Sequence, residues 1–182
     1  MILEIVKYGH PALRQKGAPV REVTESIVKL AEDMIDTMYE ANGVGLAAQQ
    51  VGVPIQMTVI DVADVEERPS QMFVEGEEVA LEDWMPLALL NPVLELDGEK
   101  ETGTEGCLSF PDIHGDILRS AKVRAKGQLL DGDEIEFEAT GLLARALQHE
   151  VDHLNGVLFI DRMNSAARAS LSGKLKRLQR GE

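Results

Sequence analysis

The segment His149-Glu150-Val151-Asp152-His153 has the form HExxH. On a helix, residues four apart lie one turn above another, so both imidazoles project from one face and can bind a single metal ion. Glu150 is their neighbour in angle, placed to hold and deprotonate water rather than to ligate. The stretch reads as a helix from about Leu142 to Leu154, with Thr140 as cap and Asn155-Gly156 as stop, which is the setting the chemistry needs. Leu142, Ala146, His149 and His153 share a stripe, and Ala146 is small enough to leave room for a substrate beside the ion. The plain alternative is two ordinary histidines on a polar helix face.

Two histidines are too few for a stable site. Candidates for the third ligand are Cys107, His10, His114 or a carboxylate. Cys107 is chemically attractive because a thiolate binds divalent iron or zinc tightly. It is the one cysteine of the chain, so no internal disulfide forms, and it stands in Glu105-Gly106-Cys107-Leu108-Ser109, where glycine permits close approach. A three-ligand site keeps a position open for water, which predicts hydrolysis of an amide-like bond with Glu150 moving the proton. A protease and a small-amide hydrolase would share these parts.

The segment Gly43-Val44-Gly45-Leu46-Ala47-Ala48-Gln49-Gln50 has the wrong glycine spacing for a phosphate loop, and no Lys-Ser/Thr follows. It reads as a glycine-rich turn near the core, with Gln50 able to aim an amide donor at a developing oxyanion.

The elements that must position these residues follow from the pattern. The first twenty residues, with Pro11, Gly17 and Pro19, read as an irregular arm. Thr24 or Ser26 caps a helix in which Ile27, Leu30, Ala31, Met34, Ile35 and Met38 keep the 3.6-residue period, and Asn42-Gly43 stops it. Strands are predicted at 55–60 and within 88–94, the latter broken by Pro92. Alternation at Val123, Ala125, Gly127 and Leu129, the turn Asp131-Gly132, and alternation at Ile135, Phe137 and Ala139 predict a hairpin. Strands on both sides of one central helix define an α+β chain, a single domain with mainly antiparallel or mixed sheets around the HExxH helix, plus a C-terminal helix through Leu171, Leu175 and Leu178.

Charge is unevenly spread. The net charge is -14, which argues against a general nucleic-acid surface, and no stretch of 18 apolar residues suggests a membrane span. Residues 61–83 carry nine Asp/Glu and only Arg68 as a basic partner, and read as an exposed, mobile acidic insertion with a short hairpin. From Arg162 to Glu182 there are six Lys/Arg against one Glu, a basic tail on an acidic body. It is either a solvated helix or a docking element for an RNA-rich assembly.

Three segments, GVGLAAQQ at 43–50, EGCLS at 105–109 and QHEVDH at 148–153, occur in the order found in peptide deformylases, and the chain resembles that family over nearly its whole length. The resemblance implies Cys107, His149 and His153 as metal ligands, Glu150 as catalytic acid/base, and Gln50 with the Leu108 N–H as oxyanion donors. It implies a cleft formed by Gly43, Val44, Gly45, Glu105, Gly106, Leu142 and Ala146, with Arg119 pairing Glu105 to brace the cysteine loop. It further implies one divalent ion (Fe2+ foremost, Zn2+ or Ni2+ as alternatives), N-formylmethionyl nascent peptides as substrates, a bacterial cytoplasmic or organellar setting, and ribosome association through the tail. Two departures stand out: His114 where many members have arginine, and Arg145 where many have an aliphatic residue, placed to narrow or polarise the cleft rim. The rivals are a zinc endopeptidase and a structural metal-bound scaffold with four protein ligands.

Overall fold

The computed structural model describes residues 1–182. Seven strands form one antiparallel sheet in the order β1-β2-β5-β6-β7-β3-β4. They are β1 (Gly45–Ala47), β2 (Met57–Ile60), β3 (Ser70–Val74), β4 (Glu77–Val79), β5 (Leu87–Cys107), β6 (Phe110–Gln128) and β7 (Glu134–Thr140). Four helices accompany them: α1 (Glu25–Glu40), α2 (Gly141–Leu154), α3 (Ser165–Ser170) and α4 (Ser172–Gln179). The α+β expectation is met, with the HExxH helix α2 packed on the sheet.

Strand alternation explains which face α2 covers. Val123, Ala125, Phe137 and Ala139 point inward and are buried, and Val123 pairs with Ala139 and Ala125 with Phe137 in register. Their neighbours Lys122, Arg124 and Glu138 face solvent and pair with one another across the strands. Such exposed pairs contribute about 0–1 kcal/mol each, whereas each fully buried leucine contributes roughly 1.5–3 kcal/mol. Leu143 and Leu147 of α2, both fully buried in this cluster, therefore dominate the docking of the helix. Helix α1 covers the other end through Ala31, Met34 and Met38, and Thr24 caps it by accepting from the Ile27 N–H.

Several expectations need correction. Pro92 does not end a strand: β5 runs on to Cys107, with a register shift between Leu90 and Val93. A proline is tolerated at a bulge because no ladder donor is required there. Asn91 holds the bulge at φ 50°, its side chain bonded both to the N–H and to the carbonyl of Val20 at 2.8 Å. The predicted C-terminal helix, by contrast, is present as α4, which carries Leu175 and Leu178, and the shorter α3 meets it at Leu171, where Ser170, Ser172 and Gly173 favour helix weakly.

Residues 61–83 contain the expected hairpin, β3–β4, but it is a member of the sheet. Met72 is fully buried and β3 pairs with β7. This hairpin also supplies the cap expected of Thr140. The Thr140 hydroxyl turns instead to Gln71, while Ser70 Oγ accepts from the Leu143 N–H at 2.9 Å and the Pro69 carbonyl from the Leu142 N–H. Free N–H groups at the start of α2 are thus satisfied from about seventy residues away. Ser70→Ala is expected to lower unfolding stability by about 1 kcal/mol in a denaturant titration. An unchanged midpoint would show that the hairpin does not cap the helix.

Candidate active site

The β5–β6 turn, the 43–50 segment and one face of α2 meet around a cavity of about 450 Å³. Gly43, Val44, Gly45, Gln50, Glu105, Gly106, Cys107, Leu108, Leu142, Ala146, His149 and Glu150 all line it. His153 lies just beneath, 1% exposed, and Arg119 lies behind Glu105. The N-terminal arm ties the two loops together, since the Val6 N–H donates to the Gln50 carbonyl and the Tyr8 N–H to the Ser109 carbonyl.

Cys107 Sγ and one ring nitrogen each of His149 and His153 lie within 4.8 Å of one another. The His153 Nε2–Cys107 Sγ distance is 3.3 Å. Of the other candidates for a third ligand, His10 is used in the arm, where its Nδ1 accepts from the Ala12 N–H. His114 lines the cavity over Gly106 but is not part of the cluster.

The two imidazoles are held differently. His149 Nδ1–H donates to Glu105 Oε1 at 2.8 Å, so its Nε2 is the nitrogen left for the cavity. Burial opposes a charge on this ring, but hydrogen bonds to Cys107 and Glu105 lift its pKa to about 10. His153 is pushed well below the usual histidine range, first by burial and then by the charge of His149, and so stays neutral. Its buried Nδ1 has no protein partner. One thiol, a neutral imidazole and a second imidazole oriented by a carboxylate form a donor set that fits a divalent cation, which would displace the protons now shared among them.

Behind the cluster, Glu105 is clamped by Arg119, whose Nε and Nη2 each donate at 2.9 Å to one of its oxygens. The third nitrogen of Arg119 reaches Asp152 Oδ2 at 2.6 Å, and Asp152 in turn holds Arg162. Burial raises the cost of a charge on Glu105, yet bonds from His149 and Arg119 hold its carboxyl far below the usual range. The carboxylate is a fixed anion.

Glu150 sits in contrasting surroundings. It is 2% exposed, and its one hydrogen-bond donor is the Thr58 hydroxyl at 3.5 Å. Burial pushes its pKa up to about 7, near the working range of a group that takes and returns a proton. Gly45 leaves the space: a Cβ there would lie 3.1 Å from the Glu150 carboxyl carbon.

Gln50 has a defined orientation. Its Oε1 accepts from the Ala47 N–H at 2.9 Å, which turns its Nε2 toward Ser109 Oγ at 3.2 Å and Cys107 Sγ at 3.5 Å. The Leu108 N–H, at the tip of the β5–β6 turn, has no protein acceptor. Sequence reasoning missed Ser109 and Thr58, single hydroxyls in ordinary loop and strand settings with no spacing signal. Asp152, inside the HExxH segment itself, could have been flagged by its position.

A thiol and two imidazoles on one helix-and-turn frame, beside a buried carboxyl and an open cavity, define a hydrolase site of the HExxH class. A sequence profile of the polypeptide deformylases matches residues 2–169, and the chain belongs to that family. The peptide deformylase of Methylacidiphilum infernorum is 43% identical over 182 residues, covering 100% of this chain and 95% of that protein. Among solved structures, the peptide deformylase of Thermotoga maritima is 41% identical with a TM-score of 0.74, covering 90% of this chain and 99% of its own. That of Ehrlichia chaffeensis in complex with actinonin is 34% identical with a TM-score of 0.82, covering 97% and 96%.

Proposed function

We propose that Glu150, Gln50 and the Leu108 N–H carry the chemistry of a deformylase site whose ion is held by Cys107, His149 and His153. As a member of this family the enzyme removes the formyl group from the N-terminus of newly made polypeptides. A bound divalent cation would supply Lewis-acid polarisation of the formyl oxygen and make water more acidic. Glu150 accepts the proton of the attacking water as its oxygen bonds to the formyl carbon. Gln50 Nε2 and the Leu108 N–H donate to the oxygen that becomes negative. Glu150 then returns the proton to the methionine nitrogen, the C–N bond breaks, and formate and a free amino terminus result. The observation that carries this reading is the buried Glu150 at the cavity wall beside the Cys107–His149–His153 cluster.

The cleft suits the first residue of such a peptide. Leu142, Ala146, Val44 and Leu108 give an apolar lining for an unbranched methionine side chain, and backbone near Gly43–Gly45 is available to pair with an extended chain. A thiolate with two imidazoles can hold Fe2+, Zn2+ or Ni2+, and membership of the family, rather than the donor set, favours Fe2+ as the working ion. Arg119 supports the site through Glu105. The bacterial relatives and the substrate class favour a bacterial cytoplasm as the compartment. No helix is long and apolar enough to cross a membrane.

Formate release from a formyl-Met peptide by metal-replete enzyme tests the assignment. Glu150→Gln should lower the rate by about 10²–10⁴, and Gln50→Ala by about 10²–10³, both in folded protein, with Gln50→Ala melting somewhat earlier because the Ala47 N–H loses its acceptor. A near-normal rate in Glu150→Gln would remove Glu150 from the chemistry.

The basic tail supports ribosome docking. Arg168, Lys174, Lys176, Arg177 and Arg180 are not buried, while Leu175 packs into the cluster with Leu13, Phe110 and Phe159 beneath the site. Deletion after Met163 would open that cluster, so charge reversal is the cleaner test. Lys174→Glu with Lys176→Glu and Arg177→Glu should weaken salt-sensitive ribosome binding at least tenfold, with peptide turnover unchanged. Unaltered low-salt binding would contradict the docking role.

A further inference from the structure

Arg145 lies four residues before His149 on α2, one turn away on the same face. Its side chain is 10% exposed. Nη1 donates to Glu105 Oε2 and to the Ile117 carbonyl, and Nη2 to the Glu101 carbonyl, each at 2.8 Å. Strand β5 makes space for this reach at Gly103, where a Cβ would lie 2.9 Å from Cζ and Nε and 3.0 Å from Nη2. Although Arg145 lines the cleft, as its sequence position suggested, its guanidinium is turned onto Glu105 and the strands.

The distribution of donors on Glu105 gives Arg145 its meaning. Oε2 accepts from Arg145 Nη1 and Arg119 Nε, and Oε1 from Arg119 Nη2 and His149 Nδ1. Two donors on each oxygen fill the lone-pair sites of the carboxylate. Arg119 shares its charge between Glu105 and Asp152, and with its fork as the only clamp the carboxylate could swing about that axis and carry His149 with it. Arg145 comes from the same helix as His149, so it fixes the carboxylate relative to the helix that bears the ring.

We propose that Arg145 is a positioning residue for the deformylase reaction. It locks Glu105, which aims His149 Nε2 into the cleft, and Gly103 is the gap that lets its guanidinium do so. The inference rests on the reading of His149 as a metal ligand.

The test uses the full chain loaded with cobalt(II), as wild type, Arg145→Met, Arg145→Lys and Gly103→Ala. Methionine keeps an apolar stem without the guanidinium, and lysine restores a donor. Gly103→Ala keeps Arg145 but displaces its head, so it carries the test if Arg145→Met does not fold. Three quantities are read: the rate of cobalt loss to excess chelator, the visible ligand-field spectrum, and kcat and KM on a formyl-Met peptide. Arg145→Met and Gly103→Ala should lose cobalt about 10–100-fold faster and shift the ligand-field bands. Their kcat should fall by a similar factor with KM nearly unchanged, and Arg145→Lys should lie between them and wild type. Wild-type cobalt loss and spectrum in folded Arg145→Met would overturn the proposal, as would a raised KM with unchanged kcat, which marks a mere cleft wall. Cobalt loss requires no turnover, so absence of formate release from wild type would sink the deformylase roles without bearing on this result.

Discussion

The rest of the structure depends on one buried carboxylate. Glu105 is 6% exposed and charged, and it holds only because donors arrive from β6 through Arg119 and from α2 through Arg145 and His149. Removing one partner of such a buried pair costs about 3–5 kcal/mol, a large share of the 5–15 kcal/mol that stabilises a domain. Apolar burial of Leu143 and Leu147 sets how strongly α2 docks. The carboxylate sets where it docks, because hydrophobic contact has no direction and a four-donor carboxylate does. The network then runs outward through Arg119 and Asp152 to Arg162 at the root of the tail.

That fixed anion also divides the labour among neighbouring groups. Glu105 is held ionised by its donors, while Glu150, 2% exposed and with one long hydrogen bond, is raised toward neutrality by burial. Two carboxyls in one cleft thus differ in kind, one a fixed anion that orients a ring and one near neutrality, as the proton transfer proposed for it requires. The same asymmetry separates the histidines: His149 is oriented by Glu105, whereas His153 is kept neutral by burial against Cys107. Gln50, held by the Ala47 N–H, needs no rearrangement to present its amide to the cleft. Little of this geometry must form at the moment of reaction.

Local rules made part of this legible in the sequence. The spacing of His149 and His153, the Thr24 cap and the Asp131-Gly132 hairpin depend on residues within a few positions of one another, and all appear where the pattern puts them. Cys107 stands forty-two residues from His149, and no spacing rule brings them together; only the family resemblance selected it over His10 and His114. Long-range partners defeated the local reading elsewhere. Thr140 has the right type and place for a cap, but Ser70 arrives first from a hairpin whose buried Met72 was masked by the surrounding acids. Pro92 broke the strand pattern because a bulge stabilised by Asn91 and Val20 cannot be read from one strand alone. Arg145 signals a polar rim by type, and only the gap at Gly103 shows where its guanidinium goes.

Cys107, His149 and His153 are thus proposed as a three-ligand centre, oriented by Glu105, with a position open toward Glu150. Anomalous scattering at the metal absorption edge from iron- or nickel-loaded crystals tests it most directly. One peak is expected, bonded to Cys107 Sγ, His149 Nε2 and His153 Nε2, with Glu105 still on His149 Nδ1 and solvent completing the shell. A peak with four protein ligands, or one that leaves Cys107 unbound, would contradict it.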